Sequence, residues 1–115
     1  MSSKQLDLFP DTGDHLKKDG GKPRMDLIDP IAIRGLASVL TFGASKYSAH
    51  GWREGIPNSR LVAALLRHTL AIMDGELIDP ESGLPHIDHV GCNWMFLSNQ
   101  MKTRPDLNDL YASKT

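Results

Sequence analysis

His86, His89 and Asn93 stand at spacings i, i+3 and i+7, and on an α-helix those positions share one stripe. Three groups able to coordinate an ion or carry a proton therefore line up. His68 and Glu76 are eight residues apart and share a face of the preceding helix if that helix continues past Gly75. Asp79 and Glu81 lie in the segment between, and Asp88 falls in the following helix but rotated away from His86. A crossing of the two helices brings imidazoles and carboxylates together at one end. His68, Asp79, His86 and His89 are the candidate ligands of a divalent metal. Mixed nitrogen and oxygen donors suit Zn²⁺, Mn²⁺, Fe²⁺, Co²⁺ or Ni²⁺, whereas carboxylates alone suit Mg²⁺, whose shell bound phosphates complete. His-x-x-His is weakly specific, because histidines at helical spacing are common on surfaces. The structural alternative is a histidine and carboxylate network that caps and locks the loop.

A second group is cationic: Lys22, Arg24, Lys46, Arg53, Arg60 and Arg67, interleaved with Tyr47 and Trp52. A guanidinium fork matches phosphate oxygens and an indole or phenol ring stacks on a base, so this set fits a nucleotide. Taken singly, each arginine reads as a solvated charge and each aromatic as a core or rim residue. No glycine-rich phosphate loop follows a strand, so metal and arginine would replace such a cradle. Cys92 has no helix start or basic neighbour to lower its pKa and reads as a small buried hydrophobe. Ser59 and Ser82 read as caps at helix starts rather than nucleophiles.

Helices must position these groups. Asp29-Pro30 supplies a cap and a first-turn proline, and Ile33, Leu36, Ala37, Leu40, Ala44 and Tyr47 recur at helical spacing as one buried stripe. Gly35 and Gly43 on that helix point to close helix contact, or to a break near Gly43. Ser48 to Pro57 reads as a loop. Asn58 or Ser59 caps a second helix reaching about Asp74, with Leu61, Leu65, Leu66, Leu70, Ile72 and Met73 as its apolar face. After a carboxylate-rich turn, Pro85 opens a third helix that ends near Thr103, before Arg104-Pro105. Three helices without an alternating strand predict an all-α bundle. Residues 1–20 read as a flexible arm, 21–105 as the helical domain and 106–115 as a tail or short docking helix. Three helices make a small core, and Trp94, Phe96, Leu97 and Met101 leave the third apolar around much of its girth, so a homo-oligomer, dimer or tetramer, is expected.

The 115 residues suit one domain. With 13 Lys+Arg against 14 Asp+Glu, there is no global positive field to hold a nucleic acid, so phosphate binding must be local. No apolar run approaches the roughly 18 residues needed to cross a bilayer. One cysteine cannot form an intramolecular disulfide, and Met1 to Pro10 carries no signal-peptide core, so the expected compartment is the cytoplasm.

Several blocks, in order, carry a resemblance: Lys22-Pro-Arg-Met-Asp-Leu-Ile28, Leu40-Thr-Phe-Gly-Ala-Ser-Lys-Tyr47, Trp52-Arg53, Leu66-Arg-His68, Gly75-Glu76, Asp79-Pro-Glu-Ser-Gly-Leu-Pro-His86, and His89 through Asn93. From about Gly20 to Gln100 the chain resembles the phage and prophage dATP/dGTP diphosphohydrolase N-terminal domain family. That resemblance implies a purine deoxynucleoside triphosphate cut to monophosphate and pyrophosphate, for control of nucleotide pools in an infected or lysogenic bacterium. A divalent metal, Mg²⁺ or Mn²⁺ first, would bridge the triphosphate oxygens and activate a water, with Glu76, Glu81 or Asp88 as base and Arg24, Arg53, Arg60 and Arg67 neutralising the leaving group. The all-α pattern is also similar to the MazG-like pyrophosphohydrolases, whose Glu-Glu-x-x-Glu and Glu-x-x-Asp blocks are absent here. His68 and His86-x-x-His89 stand in their place. Nor is there the adjacent His-Asp pair of the HD phosphohydrolases, since residues 88 and 89 run Asp-His. The alternative function is a phage protein that binds a nucleotide or cyclic nucleotide without hydrolysing it. A third reading is an oligomeric interaction protein with no ligand.

Overall fold

Asp29 starts the first helix as its chemistry predicts: its carboxylate accepts the Ala32 N–H at 2.9 Å, and Pro30 occupies the first helical position. The computed structural model describes residues 20–114, so the expected arm, apart from Gly20, lies outside the described residues. Helix α1 spans Pro30–Lys46, α2 Asn58–Met73 and α3 His86–Thr103. Short 3₁₀ turns occupy Met25–Leu27, Gly51–Glu54, Pro105–Leu107 and Tyr111–Lys114. Among the described residues the protein is all-helical apart from one isolated bridge between Ile78 and Pro85. Among the described residues no helix is long and apolar enough to cross a membrane.

Helix α3 is the hub. It packs along α2 most extensively and across α1 next, while α1 and α2 barely meet. The buried apolar core is correspondingly narrow, consisting of Val39, Leu61, Cys92 and Leu97. Of the α1 stripe expected inside, Leu36, Leu40 and Ala44 are half-buried, but Ile33, Ala37 and Tyr47 are exposed, and Val39 takes the buried place. The reason is geometric: α1 has one neighbouring helix, and Tyr47 lies just past the end of α1. On α2, Leu61 is buried and Leu65 and Ile72 half-buried, whereas Leu66, Leu70 and Met73 face outward.

Gly35 makes the close contact expected of it. A Cβ there would lie 2.5 Å from the Asp88 carboxylate, so the missing side chain makes room for Asp88 of α3 against α1. Gly43 has no such neighbour, and α1 runs through it unbroken.

The start of α2 departs from expectation. Pro57 is the N-cap, and neither Asn58 nor Ser59 caps the helix. Asn58 is instead 1% exposed, its Oδ1 accepting from Gln100 Nε2 at 3.2 Å. Gln100, itself buried, also accepts the Ile56 N–H at 3.0 Å and donates to the Ile56 carbonyl at 2.7 Å. Ser59 donates its N–H and hydroxyl to the Asp109 carboxylate at 2.8 and 2.6 Å, tying residues beyond α3 to the start of α2. These bonds satisfy backbone groups that an interrupted chain would otherwise leave bare.

Gln100→Ala leaves the half-buried Ile56 amide and carbonyl without these partners. It is expected to cost roughly 2–4 kcal/mol of unfolding free energy. The measurement is a lowered urea midpoint at unchanged slope; an unshifted midpoint would refute the assigned role of this contact.

Candidate functional site

The turn from α2 to α3 builds the site. Helix α2 stops at Met73 rather than running on to Glu76, because Gly75 adopts φ +94°. Its N–H bonds to the Ile72 carbonyl and that of Glu76 to Ala71, both at 2.9 Å, the pattern of a glycine C-cap. Glu76 therefore reaches the histidines from a turn, not from a helix face shared with His68. The chain then folds back: Asp79 N–H bonds to Leu84 O and His86 N–H to Leu77 O, each at 2.9 Å, around the Ile78–Pro85 bridge. Inside this loop Asp79 accepts the Glu81 N–H at 3.3 Å and the Ser82 hydroxyl at 3.0 Å. Acidic side chains that would repel one another in a free segment are thereby held in set directions.

Across this loop His68 of α2 meets His86 and His89 of α3. The His68 and His89 rings stack with centroids 4.5 Å apart and planes 8° from parallel. His68 Nδ1 lies 2.8 Å from His86 Nδ1, and His86 Nε2 lies 2.8 Å from Glu76 Oε1. For neutral rings the proton positions follow from donor counting. Glu76 can only accept, so His86 carries its proton on Nε2, its Nδ1 accepts from His68 Nδ1–H, and the His68 lone pair is left on Nε2. On the other side His89 Nε2 sits 2.7 Å from Ser82 Oγ and 3.3 Å from Asp79 Oδ2. With Ser82 donating to Asp79, His89 Nε2–H donates to Ser82 and its lone pair rests on Nδ1. Neither His68 Nε2 nor His89 Nδ1 has a hydrogen bond among the described residues, and no buried side-chain nitrogen there lacks a partner. Both lone pairs therefore open to solvent.

Electrostatics follow the burial. Burial disfavours the charged form of His68, and His89 and His86 beside it add to the effect, so its pKa lies below the ordinary 6.5. Burial would raise Asp79, but the Glu81 N–H, the Ser82 hydroxyl and the neighbouring imidazoles outweigh it and hold the carboxyl below its usual range. Burial pushes the Cys92 thiol up to about 11, which makes it an inert core residue.

The cluster forms one end of an open cleft of about 1380 Å³, floored by α3 and walled by α1 and α2, larger than a typical small-molecule pocket of ~300–1,000 Å³. Lys46, Tyr47, Trp52, Arg53, Arg67, Glu76, Asp79 and Glu81 line it with the histidines. Lys22, Arg24, Arg60 and Asp88 do not: Arg24 pairs with Asp26 at 2.7 Å, and Asp88 faces Gly35. Lys46 pairs with Glu81, which together with Tyr47 raises its pKa. Trp52 is stacked on Phe96 at 4.6 Å, and the Arg53 guanidinium lies 4.4 Å from its ring centre, so the indole anchors Arg53. Tyr47 is 77% exposed at the rim, with the Lys46 ammonium 5.4 Å from its ring centre.

Among the described residues no three His, Cys, Asp or Glu side chains converge as ligands of one ion. The facing imidazole nitrogens are bonded to one another and to Glu76, Ser82 and Asp79. As arranged, the four expected ligands do not make a closed metal cage. What stays open toward the cleft is His68 Nε2, His89 Nδ1 and the exposed carboxylates of Glu76 and Glu81. Ser82, read from sequence as a helix cap, is instead the hydroxyl joining Asp79 to His89. Phe42, edge-on to His89 with centroids 6.5 Å apart, and Phe96 were also not singled out for the site. No sequence signal separates this serine from any other in a polar turn.

Residues 12–110 match the family described as dATP/dGTP diphosphohydrolase, N-terminal. The chain is also similar to a dATP/dGTP diphosphohydrolase of Salmonella phage PMBT28, 35% identical over 94 residues, covering 82% of this chain and 32% of the relative. It thus spans about a third of that relative's length. No solved structure matches.

Because the folded state favours neutral His68, its contribution to stability is complete above the unfolded pKa of 6.5 and is lost as pH falls below it. In an NMR titration the His68 ring signal is expected to move at a pH below 6.5; a midpoint at or above that value would contradict the buried geometry.

Proposed function

The chain belongs to the dATP/dGTP diphosphohydrolase N-terminal family, and from that premise we propose that its cleft binds a purine deoxynucleoside triphosphate and cuts it to monophosphate and pyrophosphate. The observation that carries this reading is the joining, in one cleft, of an imidazole and carboxylate cluster with the cations Lys46, Arg53 and Arg67 and the exposed ring of Tyr47. Tyr47 offers a face for the base. Lys46, Arg53 and Arg67 answer the triphosphate charge, which grows on the leaving pyrophosphate as the bond from the α-phosphorus to the bridging oxygen breaks. Water oxygen bonds to the α-phosphorus, and its proton passes to His68 Nε2, a lone pair that Glu76 and His86 hold toward the cleft. Of the carboxylates expected to act, Glu76 and Glu81 line the cleft, so they are the ones retained in this proposal in place of Asp88.

A divalent ion, Mg²⁺ or Mn²⁺, would fit as an ion carried by the triphosphate itself, which needs only one or two protein carboxylates, here Glu76, Glu81 or Asp79. Its chemistry would be charge neutralisation on the phosphates. Zn²⁺, Co²⁺ or Ni²⁺ would instead use the open nitrogens of His68 and His89. The setting proposed is control of deoxypurine pools in the cytoplasm of a phage-infected or lysogenic bacterium.

A second reading, binding without hydrolysis, is favoured by one observation: the chain covers only 32% of the relative that carries the enzyme name. One experiment separates the two. The protein is incubated with each dNTP and NTP in Mg²⁺, Mn²⁺, Co²⁺ or EDTA, and products are resolved by ion exchange. Release of dAMP or dGMP with pyrophosphate, abolished by EDTA, is the expected result. His68→Ala and Glu76→Gln should each lower turnover by roughly 10²-fold or more, as loss of a proton acceptor or its support does. Survival of every nucleotide, with one retained by the protein, would establish the binding reading and dismiss the hydrolase.

A further inference from the structure

Helices α2 and α3 carry a second face that the cleft does not use. Leu66, Leu70 and Met73 recur at i, i+4 and i+7 along α2 and are 51%, 55% and 75% exposed. Ile87, Trp94 and Met101 recur every seven residues along α3 and are 61%, 60% and 53% exposed. At 100° per residue, the cleft-lining residues Ala64, Arg67 and Ala71 on α2 and His89, Asn93 and Phe96 on α3 lie about 90–160° round each helix from the centre of its stripe. Since α2 and α3 pack side by side, the two stripes join into one apolar platform on the side opposite the cleft.

We infer that this platform is where a second copy of the chain docks, the two α2–α3 pairs closing a four-helix bundle with a cleft on each outer side. Two observations name the occupant. The six side chains expose on the order of 700 Å², more than the ~300–600 Å² patch of an ordinary monomer and near the ~800 Å² per partner of a stable interface. The α3 stripe is also symmetric about Trp94, with Ile87 and Met101 seven residues to either side. A twofold axis at Trp94 therefore sets the two indoles together and Ile87 of one copy against Met101 of the other, the self-complementary arrangement an isologous dimer requires. The narrow core of Val39, Leu61, Cys92 and Leu97 gives the association a thermodynamic reason: apolar burial the single chain lacks is completed between copies.

The test is sedimentation velocity on the full chain at micromolar concentrations, where a dimer is expected. Trp94→Glu and Leu66→Glu should each weaken it at least tenfold while the helical circular dichroism stays unchanged, since both side chains already face solvent. In a Cys92→Ala background, Trp94→Cys should cross-link to itself on mild oxidation. Ile87→Cys and Met101→Cys should each do so poorly alone but readily when mixed. A monomer at every concentration would overturn the proposal and hand the face to another segment or partner. A dimer indifferent to both glutamates, or one with no Trp94→Cys cross-link, would overturn the assignment of this face.

Discussion

Gly75 at φ +94° stops α2, and the Ile78–Pro85 bridge launches α3 back along it, so the two helices leave the turn already side by side. Everything at the chemical end of the molecule depends on that reversal. It sets His68 over the His86 and His89 stripe, delivers Glu76 to His86, and folds Asp79 and Ser82 against His89. Short-range backbone bonds do this work, so the loop needs no large core of its own. The carboxylates it carries are held in place by donors rather than by apolar packing.

The second determinant is the weak meeting of α1 and α2. With α3 as their shared neighbour, the two walls stand apart and the space between them remains open. An arrangement that buried the α1 stripe fully would have closed the cleft. Exposed Tyr47 and the half-buried Leu40 and Ala44, which line the cleft, are the structural counterpart of that opening. The core is small as a consequence, and polar contacts such as the Gln100 bonds to Ile56 and Asn58 take a larger part in holding the ends of α2 and α3 together.

Proton placement in the cluster runs outward from its carboxylates. A carboxylate that can only accept determines the tautomer of the ring beside it, and that ring determines the next. The cluster is thus more ordered than a pool of imidazoles and carboxylates, and of its three imidazole lone pairs two stay open while that of His86 accepts from His68. In the proposed reaction, the triphosphate would meet these two nitrogens, two rim carboxylates and the cations Lys46, Arg53 and Arg67.

The helices were legible in the chain because their signals are local: Asp29-Pro30 at a helix start, apolar residues at helical spacing, and Pro85 before a long helix. The alignment of His86 and His89 was legible for the same reason, since helical rotation alone settles it. Which side of each helix would be covered was not, because that depends on how many neighbours the helix finds. Ile33, Tyr47, Leu66, Leu70 and Met73 look like core by pattern and became surface by position. Asn58 and Ser59 look like caps, yet long-range partners, Gln100 and Asp109, claimed them. Ser82 and the protonation order of the three rings could not be read at all from the chain, because they exist only once residues distant in sequence lie within hydrogen-bond reach. By itself the sequence determined the helices and the residue types on each face; only the tertiary structure decided which faces met, since that choice is a competition among contacts that no single segment contains.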